Sequence, residues 1–375
     1  MTAKKKKTQS AIEKLDKNFK TAAVKQTLRW YDAFDSHLAL RGLAWLKENK
    51  KAKNFHRLPK RAAGRLSVAV QGLALCPSSV FVSFFTDSPE IAVRIVNEDV
   101  EMMRNMPMTG MSGAELFVRE GTDWLSVATA VPLLDDPAYE LPLITGNAKE
   151  MREYRLYLPL YKPVNKVALG FAPKAKVKPS PTPAGVKPVF FYGTSITQGG
   201  CANTTGSDFV SILGRKLDTE IINFGFSGSG KGEPEVAELM REIDAEIFVL
   251  DYAENCDTEG MRRTLPEFVR ILRERHPETP ILIISPICYS AYFWKKDYRR
   301  TTEEMRNLIM ERYLQLRNDG DENIHFLDGF GLIPPGGSGI FSDGVHPSSG
   351  GFSIMAERLL PYLHAIRIWK RNESK

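Results

Sequence analysis

The second half of the chain alternates short apolar runs with amphipathic stretches. Helical spacing is clearest in Leu265, Phe268, Val269 and Leu272, and it recurs from Phe352 to Leu363. Strands that alternate with helices predict a doubly wound α/β fold, here a flavodoxin-like five-stranded parallel sheet with its site at the carboxyl ends of the strands. The five predicted strands are Val189 to Tyr192, Ile221 to Phe224, Ile247 to Leu250, Ile281 to Ile284 and Ile324 to Leu327.

The first half has a different pattern. Its short runs are rich in β-branched and aromatic residues and are separated by turn residues at irregular intervals, which is typical of antiparallel sheets. We therefore predict an antiparallel β-sandwich, jelly-roll-like, over residues 27–172. The predicted strands are Leu66 to Val70, Val80 to Phe85, Ile91 to Val96, Leu116 to Val118, Trp124 to Ala130, Tyr154 to Tyr161 and Val167 to Phe171.

A segment rich in proline and lysine separates the two patterns. Residues 172–188 contain five prolines, which favour an extended connector over a packed element. The predicted organisation is a flexible basic tail at 1–26, the sandwich at 27–172, a linker at 173–188 and the α/β domain at 189–369.

Composition narrows the class of protein. The chain of 375 residues is 43% hydrophobic and 26% charged, and no apolar run reaches the ~18 residues of a membrane helix. Much of the net charge of +6 is local, since Lys4 to Lys7 form one solvated run. We expect neither nucleic acid nor a membrane as partner, and a homo-oligomer is compatible with the sequence. No signal peptide follows the basic start, which favours a cytoplasmic location.

The four cysteines are widely spaced and form no C-x-x-C pair. This spacing predicts neither a zinc site nor a disulfide scaffold.

Chemically competent residues follow several of the predicted strands. Ser195 comes directly after the first strand, and SDGVHP near the C-terminus carries Asp343 and His346. A serine hydroxyl needs an adjacent base, which imidazole supplies, and a carboxylate fixes the imidazole tautomer. Gly228 and Asn255 follow the second and third strands, where a backbone N–H and a side-chain amide are suitable oxyanion donors. The sequence thus predicts an acyl-transfer site.

The blocks YGTSITQGG, INFGFSGSGKGE, LDYAEN and SDGVHP resemble, in order, the four signature blocks of the SGNH (GDSL-like) hydrolases. The resemblance covers about residues 189 to 365. Among these hydrolases the chain is most similar to bacterial members with an N-terminal β-sandwich, on the evidence of HRLPKR and YRLYLPLYKPV. The resemblance implies Ser195 as nucleophile, His346 as base and Asp343 as its orienter. It also implies an oxyanion hole formed by the Ser195 N–H, the Gly228 N–H and the Asn255 side chain, with no metal or organic cofactor.

Residues 225–232, GFSGSGKG, also approach the P-loop pattern G-x-x-x-x-G-K-[ST]. Nucleotide binding is disfavoured because Gly232 has no hydroxyl for Mg²⁺, so Lys231 is expected at the rim of the site.

The favoured interpretation is a serine esterase that removes small acyl groups, above all O-acetyl, from a small-molecule or oligosaccharide ester. One alternative is a non-catalytic carbohydrate-binding protein, in which Trp124, Tyr157 or Tyr161 would stack on sugars instead of lying in the core. Another is an esterase or thioesterase for lipid-like acyl groups.

Overall fold

The computed structural model describes residues 15–16, 24, 27–99, 101–133, 136–181, 186–334 and 336–373. The predicted basic tail at 1–26 lies almost entirely outside the described residues. Within the described part of the chain, no helix is both long and apolar enough to cross a membrane.

The N-terminal half forms two antiparallel sheets, as predicted. Its strands are β1 (Arg29–Asp32), β2 (Ala39–Arg41), β3 (Phe81–Thr86), β4 (Glu90–Asn97), β5 (Ala114–Glu120), β6 (Asp123–Ala130), β7 (Ala138–Thr145), β8 (Arg152–Tyr157), β9 (Val164–Phe171) and β10 (Val177–Pro179). One sheet has the order β1-β9-β4-β7 and the other β10-β3-β8-β5-β6, with β2 paired to β3. Without β2 and β10, these are the strand orders 1-8-3-6 and 2-7-4-5 of a jelly roll.

The inner faces of the two sheets share one core. Ile91 and Val93 of one sheet belong to the same buried cluster as Val82, Phe84 and Leu156 of the other. Apolar side chains alternate along these strands, because successive residues of a strand point to opposite faces.

The prediction of a strand from Leu66 to Val70 is wrong. This half contains the helices α1 (Leu46–Ala52), α2 (Val68–Leu73) and α3 (Met108–Met111), and the Ser67 side chain begins α2 by accepting a hydrogen bond from the Val70 N–H at 3.2 Å. Val68 is 87% exposed, whereas Leu66, Val70 and Ala74, spaced four residues apart, are buried. The burial of one face of this segment, at residues spaced four apart, therefore outweighs the β-propensity of its two valines.

The C-terminal half forms the predicted parallel sheet. Its strands are β11 (Val189–Gly193), β12 (Ile221–Gly225), β13 (Ile247–Asp251), β14 (Ile281–Ile284) and β15 (Ile324–Leu327). Its helices are α4 (Ser195–Gln198), α5 (Phe209–Lys216), α6 (Pro234–Met240), α7 (Thr258–Arg273), α8 (Ala291–Trp294), α9 (Lys296–Asn318) and α10 (Ser349–Glu373). The order β12-β11-β13-β14-β15 is the flavodoxin-like order, which places a ligand crevice at the carboxyl ends of β11 and β13.

Two stretches make contacts across the predicted domain boundaries. The boundaries themselves stay predictions. Leu66, Val70 and Ala74 belong to the buried cluster on one face of the parallel sheet, together with Phe190 and Phe224. Within the predicted linker, β10 pairs with β3 of the sandwich. The N-terminal half is therefore packed against the α/β half rather than tethered to it.

Candidate active site

Ser195 lies where β11 gives way to α4. Thr194 is the N-cap of α4, and its hydroxyl accepts a hydrogen bond from the Ile196 N–H at 3.2 Å. This cap fixes the turn so that Ser195 is the first residue of the helix, directly beyond the sheet.

The loop before α10 brings His346 to this serine. The Ser195 Oγ lies 2.8 Å from His346 Nε2, and His346 Nδ1 lies 2.8 Å from Asp343 Oδ2. Because the Nδ1 proton is held by the carboxylate, the tautomer consistent with this arrangement leaves the Nε2 lone pair facing the serine hydroxyl. The three predicted side chains thus form one continuous hydrogen-bonded line.

Asp343 is held by several donors. Its Oδ1 accepts hydrogen bonds from the N–H groups of Val345 at 3.0 Å and His346 at 2.8 Å, and its Oδ2 accepts one from Asn105 Nδ2 at 2.7 Å. Burial opposes ionisation of Asp343, but these hydrogen bonds and the one from the His346 ring outweigh it and hold the pKa of the carboxyl well below its usual range. Asp343 is therefore ionised in the folded protein near neutral pH.

The predicted oxyanion donors border the same space. The N–H groups of Ser195 and Gly228 make no hydrogen bond to any residue that the structure describes. Gly228 has a φ of +64°, which favours glycine, and a Cβ there would meet open space. Asn255 donates one side-chain N–H to the Phe226 carbonyl at 3.3 Å, which leaves a second N–H on the same amide.

Two carboxyls near Ser195 differ in exposure, since Asp251 is buried and Glu254 is half-buried and lines the cavity described below. Asp251 Oδ2 accepts a hydrogen bond from Thr197 Oγ1 at 2.8 Å, and Glu254 Oε1 accepts one from the Ile287 N–H at 3.1 Å. Burial raises the pKa of both carboxyls, and the charge of Glu254 raises that of Asp251 further. Both carboxyls therefore resist ionisation.

Arg57 connects the N-terminal half to the chain just before Gly228. Its guanidinium is buried and donates hydrogen bonds at 2.8 Å to the carbonyls of Leu73, Cys76, Asn223 and Gly225. Burial lowers the pKa of Arg57 to about 10, so the group remains charged at neutral pH. Its partners Asn223 and Gly225 directly precede the turn that carries Gly228.

Tyr161 is a second contact from the N-terminal half. Its hydroxyl donates to the Ser195 carbonyl at 3.3 Å. With Asn105 and Arg57, it makes the sandwich half a structural part of the site.

A cavity of about 560 Å³ opens at these residues. Ser195, Gly228, Asn255 and His346 border one side of it. Tyr289, Ala291, Lys295, Tyr298 and Met305 also line it. Next to Lys295, the Trp294 ring is 68% exposed, and the Lys295 ammonium lies 4.6 Å from its centroid.

The aromatic residues considered in the sequence do not face this cavity. Tyr157 and Tyr161 are buried, and Trp124 is half-buried beneath the Arg155 guanidinium, 4.1 Å from its ring centroid. Stacking of sugars on Tyr157 or Tyr161 is thereby excluded.

Lys231 is exposed, and its N–H faces the Glu233 carboxylate at 3.2 Å. This carboxylate already supplies an anion where a P-loop would bind phosphate.

Several residues at the site were missed by sequence reasoning. Asn105 and Trp294 carry no local motif, and Asn105 reaches Asp343 across 238 positions of the chain. Arg57 lies in HRLPKR, on which the resemblance rests, but the motif does not indicate its contacts at the site.

The C-terminal half matches the model of the GDSL-like lipase/acylhydrolase family over residues 186–364. This part of the chain is therefore a domain of the GDSL-like (SGNH) hydrolase family.

Residues 28–177 match a second model, the N-terminus of SGNH-hydrolase-type esterases called GxDLY. The chain is thus a member in which this β-rich N-terminal domain precedes the hydrolase domain, as the resemblance implied.

Solved structures agree with this assignment. A protein described as a GDSL-like lipase from Bacteroides ovatus is similar with a TM-score of 0.83 and 27% identity, over 90% of this chain and 98% of that one. The salicylyl-acyltransferase SsfX3 of a tetracycline biosynthetic pathway gives a TM-score of 0.74 at 23% identity, over 92% and 98%. A family two carbohydrate esterase from Clostridium thermocellum, in complex with cellohexaose, gives 0.57 at 15%, over 78% and 94%. The search of curated proteins found no match.

Proposed function

We propose that this protein is a serine esterase that removes small acyl groups, chiefly acetyl, from hydroxyls of carbohydrates. The observation that carries the proposal is the line of two 2.8 Å contacts from Ser195 Oγ through the His346 ring to Asp343. A nucleophile, a base and an orienting carboxylate in that order are the minimum for acyl transfer through serine.

In the proposed mechanism the Ser195 Oγ attacks the acyl carbonyl while His346 Nε2 takes the hydroxyl proton. The oxyanion of the tetrahedral intermediate accepts hydrogen bonds from the Ser195 and Gly228 N–H groups and from the Asn255 amide. His346 then protonates the leaving alcohol, and Asp343 stabilises the imidazolium in between. Water, activated by the same imidazole, releases the acyl group and restores Ser195.

Support for a carbohydrate substrate comes from the rim of the cavity. The Trp294 ring is exposed beside the cavity wall, and sugar rings stack on such faces. The Lys295 ammonium lies next to it and is a donor for hydroxyl or carboxylate oxygens of a sugar.

An esterase for acyl groups larger than acetyl is a second candidate. Tyr289, Tyr298 and Met305 line the same cavity as Ser195 and offer apolar surface to a larger acyl group. The chemistry of the first step is the same in both cases.

The test is release of acetate from acetylated oligosaccharides, compared with a chromogenic acetate and with longer acyl esters, with and without an added alcohol acceptor. Wild type should prefer the acetylated sugar, and Ser195→Ala should lose at least ~10⁴-fold in kcat with an unchanged melting temperature. Equal inactivity of wild type and Ser195→Ala would leave a binding protein as the better explanation. Preference for long acyl esters would overturn the assignment of acetyl as the acyl group, and equal rates on the chromogenic acetate and the acetylated sugars would overturn the carbohydrate assignment.

A further inference from the structure

Asp343 and His346 form a second cluster on the side of the imidazole away from Ser195. Cys201 Sγ lies 3.9 Å from Asp343 Oδ2, the oxygen that also contacts His346 Nδ1. One ligand-type atom from each of the three residues lies within 4.8 Å of the other two. Cys201 has a φ of +70°, an uncommon backbone conformation for a residue with a side chain.

We propose that Cys201, Asp343 and His346 form an inhibitory site for a zinc-like divalent cation. The proposal rests on the proposed function, since the inhibited group is the imidazole assigned there as the base. In this role the metal is an inhibitor and not a cofactor.

The three donors are the types that zinc binds, namely a thiolate, an imidazole nitrogen and a carboxylate oxygen. Tetrahedral zinc with ordinary bond lengths holds such donor atoms about 3.3–3.7 Å apart. The separation of 3.9 Å between Cys201 Sγ and Asp343 Oδ2 is close to this range. The contact of 2.8 Å between His346 Nδ1 and Asp343 Oδ2 must open by roughly half an ångström, which a cation placed between the two atoms would cause.

The cluster is accessible from the Asp343 side. Cys201 is buried, but 27% of the Asp343 side chain and 22% of the His346 side chain are exposed. Asn105, which contacts Asp343 Oδ2 at 2.7 Å, is also exposed. A hydrated ion can therefore reach the carboxylate first and exchange water for the imidazole and the sulfur.

Inhibition follows from the tautomer of His346. In the metal-free enzyme the proton lies on Nδ1 and the Nε2 lone pair faces Ser195. Metal at Nδ1 takes that lone-pair position, so the ring proton moves to Nε2, and the nitrogen facing Ser195 becomes a donor. The Cys201 thiol releases its proton to solvent as the metal–sulfur bond forms. The serine hydroxyl then has no base.

Binding and inhibition can be measured separately. Co²⁺ bound to a thiolate gives a sulfur-to-metal charge-transfer absorbance, so wild type titrated with Co²⁺ should develop this band and Cys201→Ser should not. Hydrolysis of a chromogenic acetate at buffered free Zn²⁺ should be inhibited and should recover with a chelator. Each variant is normalised to its own metal-free rate, and Mg²⁺ should have no effect, because it prefers oxygen ligands.

Cys256→Ser is the matched control, since Cys256 borders the cavity but is not in the cluster. It should keep both the Co²⁺ band and the zinc inhibition of wild type. For Cys201→Ser, the free Zn²⁺ concentration at half-inhibition should rise by roughly tenfold or more. If Cys201→Ser does not fold, Cys201→Ala takes its place. Equal zinc sensitivity of Cys201→Ser and wild type, or no Co²⁺ band in wild type, would overturn the site. A wild-type protein with the band but without esterase activity would instead contradict the proposed function.

Discussion

The two sides of the candidate active site are built differently. Ser195, Gly228 and Asn255 follow strands of the parallel sheet and are backed by buried groups, including Arg57 and Asp251. His346 and Asp343 lie on the loop before α10, where Asp343 is exposed and is held by local N–H groups and by Asn105. Changes behind Ser195 should therefore affect stability as well as rate, and changes beside His346 should affect rate almost alone.

Arg57→Met is the strongest test of this contrast. It removes the donor to four backbone carbonyls, and unsatisfied buried carbonyls are costly, so we expect a loss of roughly 3 kcal/mol or more in unfolding free energy. Denaturant unfolding measures this loss. Arg61→Met is the matched control, because Arg61 is exposed in the same segment and pairs with Glu48 on the surface, where about 1 kcal/mol or less is expected. Equal losses in the two variants would remove Arg57 from its structural role.

Asn255→Ala tests one of the proposed oxyanion donors. Removal of an oxyanion donor should lower kcat by roughly 10²-fold and leave KM nearly unchanged, since the donor acts mainly in the transition state. Asn255→Asp, which keeps the shape but replaces the donor with a carboxylate, should be at least as impaired. A normal kcat in the alanine variant would exclude Asn255 from the site.

Asn105→Ala tests the loop side. Loss of one hydrogen bond to Asp343 should cost about 1 kcal/mol, or roughly fivefold in kcat, with an unchanged melting temperature. Asn105 also lowers the pKa of Asp343, and a carboxyl with a depressed pKa loses its contribution as the pH falls through that pKa. In the variant this pKa rises towards its ordinary value, so the stability that the ionised Asp343 contributes should be smaller and should be lost over a narrower range of low pH than in wild type. A melting temperature that falls as far as in Arg57→Met would contradict the contrast.

Glu254→Gln should have the smallest effect, and that effect should depend on pH. Burial raises the pKa of the Glu254 carboxyl in the folded protein. As the pH rises, the unfolded chain therefore releases this proton before the folded protein does. Wild type loses stability between about pH 4 and the raised pKa. The variant lacks this loss. The difference between the melting temperatures of the variant and of wild type should therefore shift in favour of the variant by roughly 2 °C between low and high pH. Glu259→Gln, at a highly exposed position, should show no such trend.

The parallel sheet was predictable because each of its strands is a short, mainly apolar run. Ser195, Gly228 and Asn255 could be placed at one edge of the sheet because parallel strands end together. The strand predicted from Leu66 to Val70 failed because its partner surface, which includes Phe224, lies far away in the chain. Asn105 was missed for the same reason, since a contact across 238 residues leaves no local periodicity.

The buried guanidinium of Arg57 also bears on the order in which the chain can fold during synthesis. Its partner Gly225 lies 168 residues downstream, so at ordinary elongation rates a ribosome makes that carbonyl roughly ten to thirty seconds after the arginine. Throughout that interval the segment with Leu66 and Val70 has no sheet to cover its apolar side. This stretch of the nascent chain is where a chaperone would be needed most. A chain truncated at the proline-rich connector would never acquire the sheet that covers these side chains.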